Sequence, residues 1–365
     1  MSTPNTKLNR VKEHRLAKGK SQVDLAQTAG ISRAGLSAIE IHRLVPSVST
    51  ALALAKALQT TVEALFEQVP SETEPVWACS PPTFPSRFWA ADVLGRAILY
   101  PVESASGTFV RHDGVARESD PVPVARDAAR RTLVVATCDP AAGYLALEYG
   151  RQTPFRMIVL RRSSRDALGL IKQGLAHVAG VHLAESVTSA GNQQAIEQES
   201  LPFDVQLFAM AKWEEGVAHS PGIKLRSVRQ ATNTRLRWIG RSQGAGARRC
   251  QDEVLGSRRS PRHIASDHGD VVASIRSGFA DAGICVRMVA EEAHVNFLNI
   301  REEDYDLCFP SSYADDPRLA ALVDVVRSPQ YRETIADLPG YQLRPADLHT
   351  VRASAGATRS NHEND

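Results

Sequence analysis

Ser21-Gln22-Val23-Asp24-Leu25-Ala26-Gln27-Thr28-Ala29-Gly30-Ile31-Ser32-Arg33-Ala34-Gly35-Leu36-Ser37-Ala38-Ile39-Glu40 sets the fold at the front of this chain. It reads as two short helices joined by a tight turn. Ser21 is placed to cap the first helix and Ser32 the second. Gly30 supplies a turn conformation that β-carbons disfavour. Leu25, Ala26, Leu36 and Ile39 point inward. That leaves Arg33, Ala34, Ser37 and Ala38 on the open side of the second helix, where a helix-turn-helix meets base edges.

Working outward, a first helix is expected over about Leu8 to Lys18, ending at Gly19. A fourth is expected from Val48 to Leu58, capped by Ser47, and a fifth from Val62 to Phe66. Leu52, Ala55 and Leu58 fit a core-facing stripe on the fourth. Six basic residues (Lys7, Arg10, Lys12, Arg15, Lys18, Lys20) against one acid, Glu13, suit phosphate contact or, equally, a solvated helix face.

These residues resemble the Cro/phage-repressor helix-turn-helix family. The resemblance rests on Arg10, Arg15, Gln22, Leu25-Ala26, Gly30, Ser32, Leu36, Ile39-Glu40, Pro46-Ser47, Leu54-Ala55, Ala57-Leu58 and Leu65-Phe66. It implies double-stranded operator DNA as partner, with Gln22 on a phosphate and Arg33, Ala34 and Ser37 near bases. Arg10, Arg15, Ser32 and Arg43 complete the expected DNA-facing set. The family usually has a glycine after the recognition helix. Here Ile41-His42-Arg43 stands there, so the turn is made differently.

The rest of the chain bounds the function. Its 365 residues suggest two or three domains, and its 43% hydrophobic and 23% charged content is that of a globular protein. Net charge is only +2. The five cysteines are scattered with no C-x-x-C pair, which argues against a zinc ribbon or a disulfide framework. No metal and no cofactor are expected. No apolar run reaches membrane-spanning length and the N-terminus lacks a secretion signal, so a cytoplasmic location is expected.

The domain plan is a helix-turn-helix module over 1–69, a linker and small β-rich insert over 70–127, a two-lobed α/β domain over 128–348 and a disordered tail over 349–365. The insert is expected to hold strands around Arg96–Val102 and Gly107–Val110. After Arg131 an α/β rhythm begins, with buried strands at 133–137, 156–160, 177–183, 236–240, 263–265 and 280–286. A strand over Val205–Met210 reads as a crossover. Two helices, Pro317–Val326 and Gln330–Ala336, close the domain.

Open α/β sheets bind ligands beyond the carboxyl ends of their strands. Those ends carry Asp139, Ser163, Ser164, His182, Arg241, Ser242, Gly244, Gly246, Asp267 and His268, which form the expected ligand site. Hydroxyls, glycines and helix N-termini offer neutral donors to an anion. Each has a structural alternative: Ser164 as a helix cap, Gly244 and Gly246 as packing glycines, the histidines as hydrogen-bonded core residues.

This part resembles the periplasmic-binding-protein-like (type II) domain found attached to DNA-binding modules and in some molybdenum-cofactor biosynthesis proteins. The carrying stretches are Arg161–Ser164, Gly174–Leu183, Trp238–Arg248, Asp267-His268 with Val271–Ala273, Gly278–Gly283 and Leu338–Tyr341. The resemblance implies two lobes, a cleft that closes on binding, and molybdate or a related oxyanion as ligand. A small organic anion is the main rival. The family's frequent Gly-Ser-Gly element reads Gly244-Ala245-Gly246 here, without that hydroxyl. The chain is thus expected to be a ligand-responsive one-component transcription regulator, homodimeric on a two-fold operator. Two other classes compete: an enzyme using the α/β domain, for which no H-E-x-x-H, G-x-S-x-G or Walker loop is present, and a DNA-binding protein whose second domain senses nothing.

Overall fold

A computed structural model describes residues 9–41, 43–66, 74–81, 83–103, 110–118, 122–183, 191–256 and 261–352. They fall into two compact units, Met1–Glu74 and Pro75–Asp365.

The first unit is five helices: α1 (Val11–Ala17), α2 (Gln22–Ala29), α3 (Arg33–Glu40), α4 (Val48–Leu58) and α5 (Val62–Phe66). The Ser21 side chain accepts the Asp24 N–H, and Asp24 reaches back to the Ser21 N–H, closing a capping box. Gly30 ends α2 in the left-handed region at φ 66°. Ser32 and Ser47 cap α3 and α4 through the N–H groups of Gly35 and Thr50. The core comprises Val11, Leu25, Ala26, Leu36, Ile39, Leu54, Ala55, Leu58 and Leu65. Leu52 is not in it and is 57% exposed. The buried face of α4 repeats through Ala51, Leu54, Ala55 and Leu58, and Leu52 lies about 100° round from Ala51. Without a glycine, the turn after α3 is closed by the Arg43 and Leu44 N–H groups, both donating to the Ala38 carbonyl at 2.8 and 3.1 Å.

The second unit opens with β1 (Val76–Trp77), β2 (Ser86–Val93), β3 (Arg96–Pro101) and β4 (Gly114–Ala116), a four-stranded sheet in the order β1-β3-β2-β4. β2 had no counterpart in the sequence reading, and Gly107–Phe109 lie outside the described residues. α6 (Arg126–Arg130) leads into β5 (Thr132–Thr137), α7 (Ala142–Gln152), β6 (Arg156–Arg161), α8 (Ser164–Lys172), β7 (Val178–Val181) and α9 (Asn192–Gln198). Then come β8 (Val205–His219), α10 (Val228–Asn233), β9 (Trp238–Arg241), α11 (Gly246–Leu255), β10 (Ile264–Ala265), α12 (His268–Arg276), β11 (Ala282–Val286) and α13 (Arg287–Glu292). β12 (Asn296–Pro310), α14 (Pro317–Arg327), α15 (Pro329–Ala336), β13 (Tyr341–Leu343) and β14 (Leu348–Val351) complete it.

The large sheet runs β10-β9-β11-β8-β12-β7-β5-β6. Parallel strands β6, β5 and β7 form one lobe, and parallel strands β10, β9 and β11 the other. β8 and β12, paired antiparallel from Val205↔Pro310 to His219↔Asn296, run through both. β11 pairs with the far end of β8 (Val286↔Glu215) and β7 with the far end of β12 (Val181↔Asp306). The crossover strand is therefore longer than expected, and its 15-residue partner β12 was absent from the sequence reading. Part of the expected tail is also ordered: Leu348–Val351 pairs with β8 at Phe208–Val205. Residues 353–365 lie outside the described residues.

Candidate functional site

Glu40, the last residue of α3, ties α1 and α2 to α3. Its carboxylate accepts Arg15 Nε at 2.6 Å, Arg15 Nη2 at 3.1 Å and Gln22 Nε2 at 2.9 Å. Burial alone would raise this carboxyl, but the bonds from Arg15 and Gln22 outweigh it and hold it below the usual range. Arg15 therefore leaves the expected phosphate-facing set. It is buried and ties α1 to α3, and its Nη1 donates to the Lys20 carbonyl at 2.9 Å. Lys18 and Lys20 are also drawn away, bonding Gln59 and the Ala57 carbonyl near the end of α4. Arg10, Ser32, Arg33, Ala34 and Arg43 are exposed, and Gln22 and Ser37 are half-buried. Of these, Ser32, Arg33, Ala34 and Ser37 are brought together on one end of α3.

The strand-end residues of the second unit meet where the two lobes touch. The Arg161 guanidinium, at the end of β6, pairs with Asp267 at 2.7 Å. Asp267 also caps α12 by accepting the Asp270 N–H at 2.8 Å. Burial would raise its carboxyl, yet the Asp270 N–H and Arg161 hold it below the ordinary value. Gly246, first residue of α11, sits against His182 so closely that any Cβ would overlap the ring. Gly244, at φ +88°, faces Ser163. Arg249 donates to the Leu183 carbonyl at 2.7 Å. Beside these contacts lies a cleft of about 390 Å³ lined by residues including Arg165, Leu183, Gly244, Arg248 and Glu253.

Two serines exchange their expected roles. Ser163, not Ser164, caps α8, accepting the Asp166 N–H. Ser164 is buried and accepts the His182 N–H at 3.2 Å, so it is not open to a ligand. Asp139 is likewise engaged, accepting the Tyr341 hydroxyl at 2.7 Å and the Ala141 N–H at 2.9 Å, and burial pushes its carboxyl up. Ser242 is half-buried.

Arg241 and His268 differ from all of these. Arg241 is 1% exposed, and its Nε and Nη1 have no hydrogen-bond partner among the described residues. Both ring nitrogens of buried His268 also lack a partner among the described residues. Burial first, then the Arg241 charge, push the His268 ring well below its usual pKa, so it is neutral. The Asp267 carboxylate, itself paired with Arg161, is within electrostatic reach of Arg241, but a buried guanidinium short of hydrogen-bond acceptors is still costly.

Sequence reasoning missed the hinge strands' contribution. His182 Nδ1 meets Glu303 at 2.9 Å, and Arg301 pairs with Glu303 at 2.7 Å, Glu253 at 2.6 Å and Glu215 at 3.3 Å. Burial and the Glu303 charge push the Glu215 carboxyl up to about 8. Trp213 stacks on Tyr305 at 4.7 Å and meets His182 edge-on at 5.0 Å. The alternation Arg301, Glu303, Tyr305 was the available signal for this strand. Among the described residues no group of His, Cys, Asp or Glu is arranged to hold a metal ion.

Residues 11–65 match the helix-turn-helix family and residues 146–327 the PBP superfamily domain. The chain joins a Cro/C1-type helix-turn-helix to a PBP superfamily domain. A curated relative, the uncharacterized protein YvgK of Bacillus subtilis, is 25% identical over 203 residues, covering 53% of this chain. The chain spans 64% of that relative's length. Among solved structures, an ABC-type phosphate transport receptor from Vibrio cholerae is similar at TM-score 0.41 and 12% identity, over 58% of this chain and 100% of that one. The regulatory domain of MetR, a LysR family regulator from N. meningitidis, is similar at 0.41 and 14%, over 59% and 98%. This PBP-domain protein thus carries a DNA-binding family module and a ligand-binding family module in one chain. No helix among its described residues is long and apolar enough to cross a membrane.

Proposed function

We propose that this protein is a one-component transcription regulator whose helix-turn-helix reads operator DNA and whose cleft domain senses a small anion. Arg241 carries the reading: a buried guanidinium with two unpartnered nitrogens, at the carboxyl end of β9 beside neutral His268. An oxyanion or carboxylate there supplies the acceptors those nitrogens lack, and molybdate heads the candidates. On DNA, Ser32, Arg33, Ala34 and Ser37 approach bases while Arg10, Gln22 and Arg43 hold phosphates. The protein acts in the cytoplasm as a homodimer on a two-fold operator. Exposed Val48 and Leu52, one turn apart on α4, give the dimer an apolar face.

A second reading has support of its own. The lobes are already joined by Arg161–Asp267 and by Gly246 against His182, the arrangement expected of a domain that senses nothing. Calorimetry on the full chain against molybdate, tungstate, sulfate, phosphate and small carboxylates separates the two. The sensor reading expects micromolar binding of at least one anion, lost in Arg241→Gln. Absence of binding across the panel favours the second reading.

A further inference from the structure

Cys138, at the end of β5, lies in a line of three groups that the anion reading does not use. Its Sγ is 3.0 Å from His182 Nε2, and His182 Nδ1 is 2.9 Å from Glu303 Oε2. Glu303 is itself fixed by Arg301 at 2.7 Å. With that carboxylate on Nδ1, one ring proton stays there and Nε2 faces the sulfur. Burial opposes a charged ring, but Cys138 and Glu303 outweigh it and hold the imidazole well above its usual pKa, so it accepts the thiol proton readily. The ring cannot swing away. Trp213 flanks it edge-on at 5.0 Å, Gly246 leaves no space on another side, and the His182 N–H is held by Ser164. A nucleophile, a base and a group orienting the base are the parts of an activated thiol.

The other four cysteines lack this combination. Cys250, Cys285 and Cys308 are buried, and burial raises all three thiols. Cys79 is exposed. Cys138 is partly exposed and has an imidazole at hydrogen-bond distance. It stands at the strand end that faces the other lobe through His182, and the unpartnered His268 ring is within electrostatic reach of His182.

We propose that Cys138 is a covalent modification site at which electrophiles of the α,β-unsaturated carbonyl class add to the protein. His182 takes the thiol proton and the sulfur attacks the β-carbon. An S–C bond forms while the C=C π pair shifts to the α-carbon and carbonyl as an enolate. The proton then passes from His182 to the α-carbon, giving a neutral thioether. Nothing leaves and no oxidant is consumed. Glu303 is a positioning residue that keeps Nε2 aimed at sulfur. The modification tethers a group beside His182 and Gly246, where the lobes meet.

The test is N-ethylmaleimide, an α,β-unsaturated imide, in less than molar amount on the full chain, with labelling at each cysteine read by peptide mass spectrometry. Cys138, with an imidazole placed to take its proton, is expected to label about tenfold faster than exposed Cys79. His182→Gln should bring the ratio to one or below, and Glu303→Gln to an intermediate value, since an acceptor oxygen remains but its charge is gone. Cys138 labelling no faster than Cys79 in the wild-type protein overturns the proposal. So does folded His182→Gln that labels at the wild-type rate. The wild-type labelling ratio decides even where a variant does not fold. Failure here leaves the Arg241 calorimetry untouched, because the two sites are read by different probes.

Discussion

Arg15 turns a basic helix inward. Its side chain and that of Glu40 are 8% and 1% exposed, and together they bolt α1 to the C-terminal end of α3. Arg15→Met leaves the buried Glu40 carboxylate bonded by Gln22 and, at longer range, attracted by Lys12. That should cost about 3 kcal/mol, read as a lower urea midpoint for the helical unit by circular dichroism. An unchanged midpoint would put the pair on the surface. Arg33 is the opposite case, exposed at the first turn of α3. Arg33→Ala should weaken operator binding by about 1–3 kcal/mol and leave non-specific binding nearly unchanged. Equal loss on both DNAs would make it a phosphate contact. His177 gives the pH signature. Its Nδ1 accepts the Val134 N–H at 3.0 Å and its Nε2–H donates to the Asp92 carbonyl at 2.9 Å, bonds made by the neutral ring. Burial pushes its pKa down to about 3. From 6.5 down to about 3 the unfolded chain therefore holds a proton that the folded chain does not. Its share of stability is complete above that window and falls by up to about 1.4 kcal/mol per pH unit within it. His177→Gln should flatten the loss of urea midpoint between about pH 6 and about pH 4. An unchanged slope would mean that His177 is not the titrating group.

At the scale of elements, legibility followed chemistry. The module's helices were readable because capping serines, Gly30 and the apolar spacing all agree. The parallel strands were readable as unbroken apolar runs. β12 was not: Arg301-Glu302-Glu303-Asp304-Tyr305-Asp306 looks like a solvated loop, yet Glu303 and Asp306 are buried because Arg301, Arg344 and His182 pair with them. Partners on other elements make those charges tolerable, and a sequence does not show partners. The same limit hid the inward turn of Arg15 and the swap of Ser163 with Ser164, whereas Arg241 and His268 were legible as strand-end polar residues. Two contacts between lobe elements differ in strength. Arg161–Asp267 is partly exposed, with Arg161 66% accessible, so Arg161→Ala should change ligand affinity by under about 1 kcal/mol. Gly246→Ala places a methyl group into the His182 ring. It should hold the lobes apart, enlarge the radius seen by small-angle scattering and weaken anion binding by about tenfold or more. Equal effects of the two substitutions would count against closure at α11.

For the whole molecule the claim is thermodynamic coupling. If an anion at Arg241 favours the closed cleft, and the closed and open forms differ in operator affinity, each ligand must alter the other's affinity by the same factor. A shift of 1–3 kcal/mol would be about 5- to 150-fold. The decisive measurement is fluorescence anisotropy on an operator selected from random DNA, with and without a saturating concentration of the anion found by calorimetry. Operator Kd is expected to change at least about fivefold, and not at all in Arg241→Gln. The same Kd with the anion bound would leave a DNA-binding protein whose second domain does not control it.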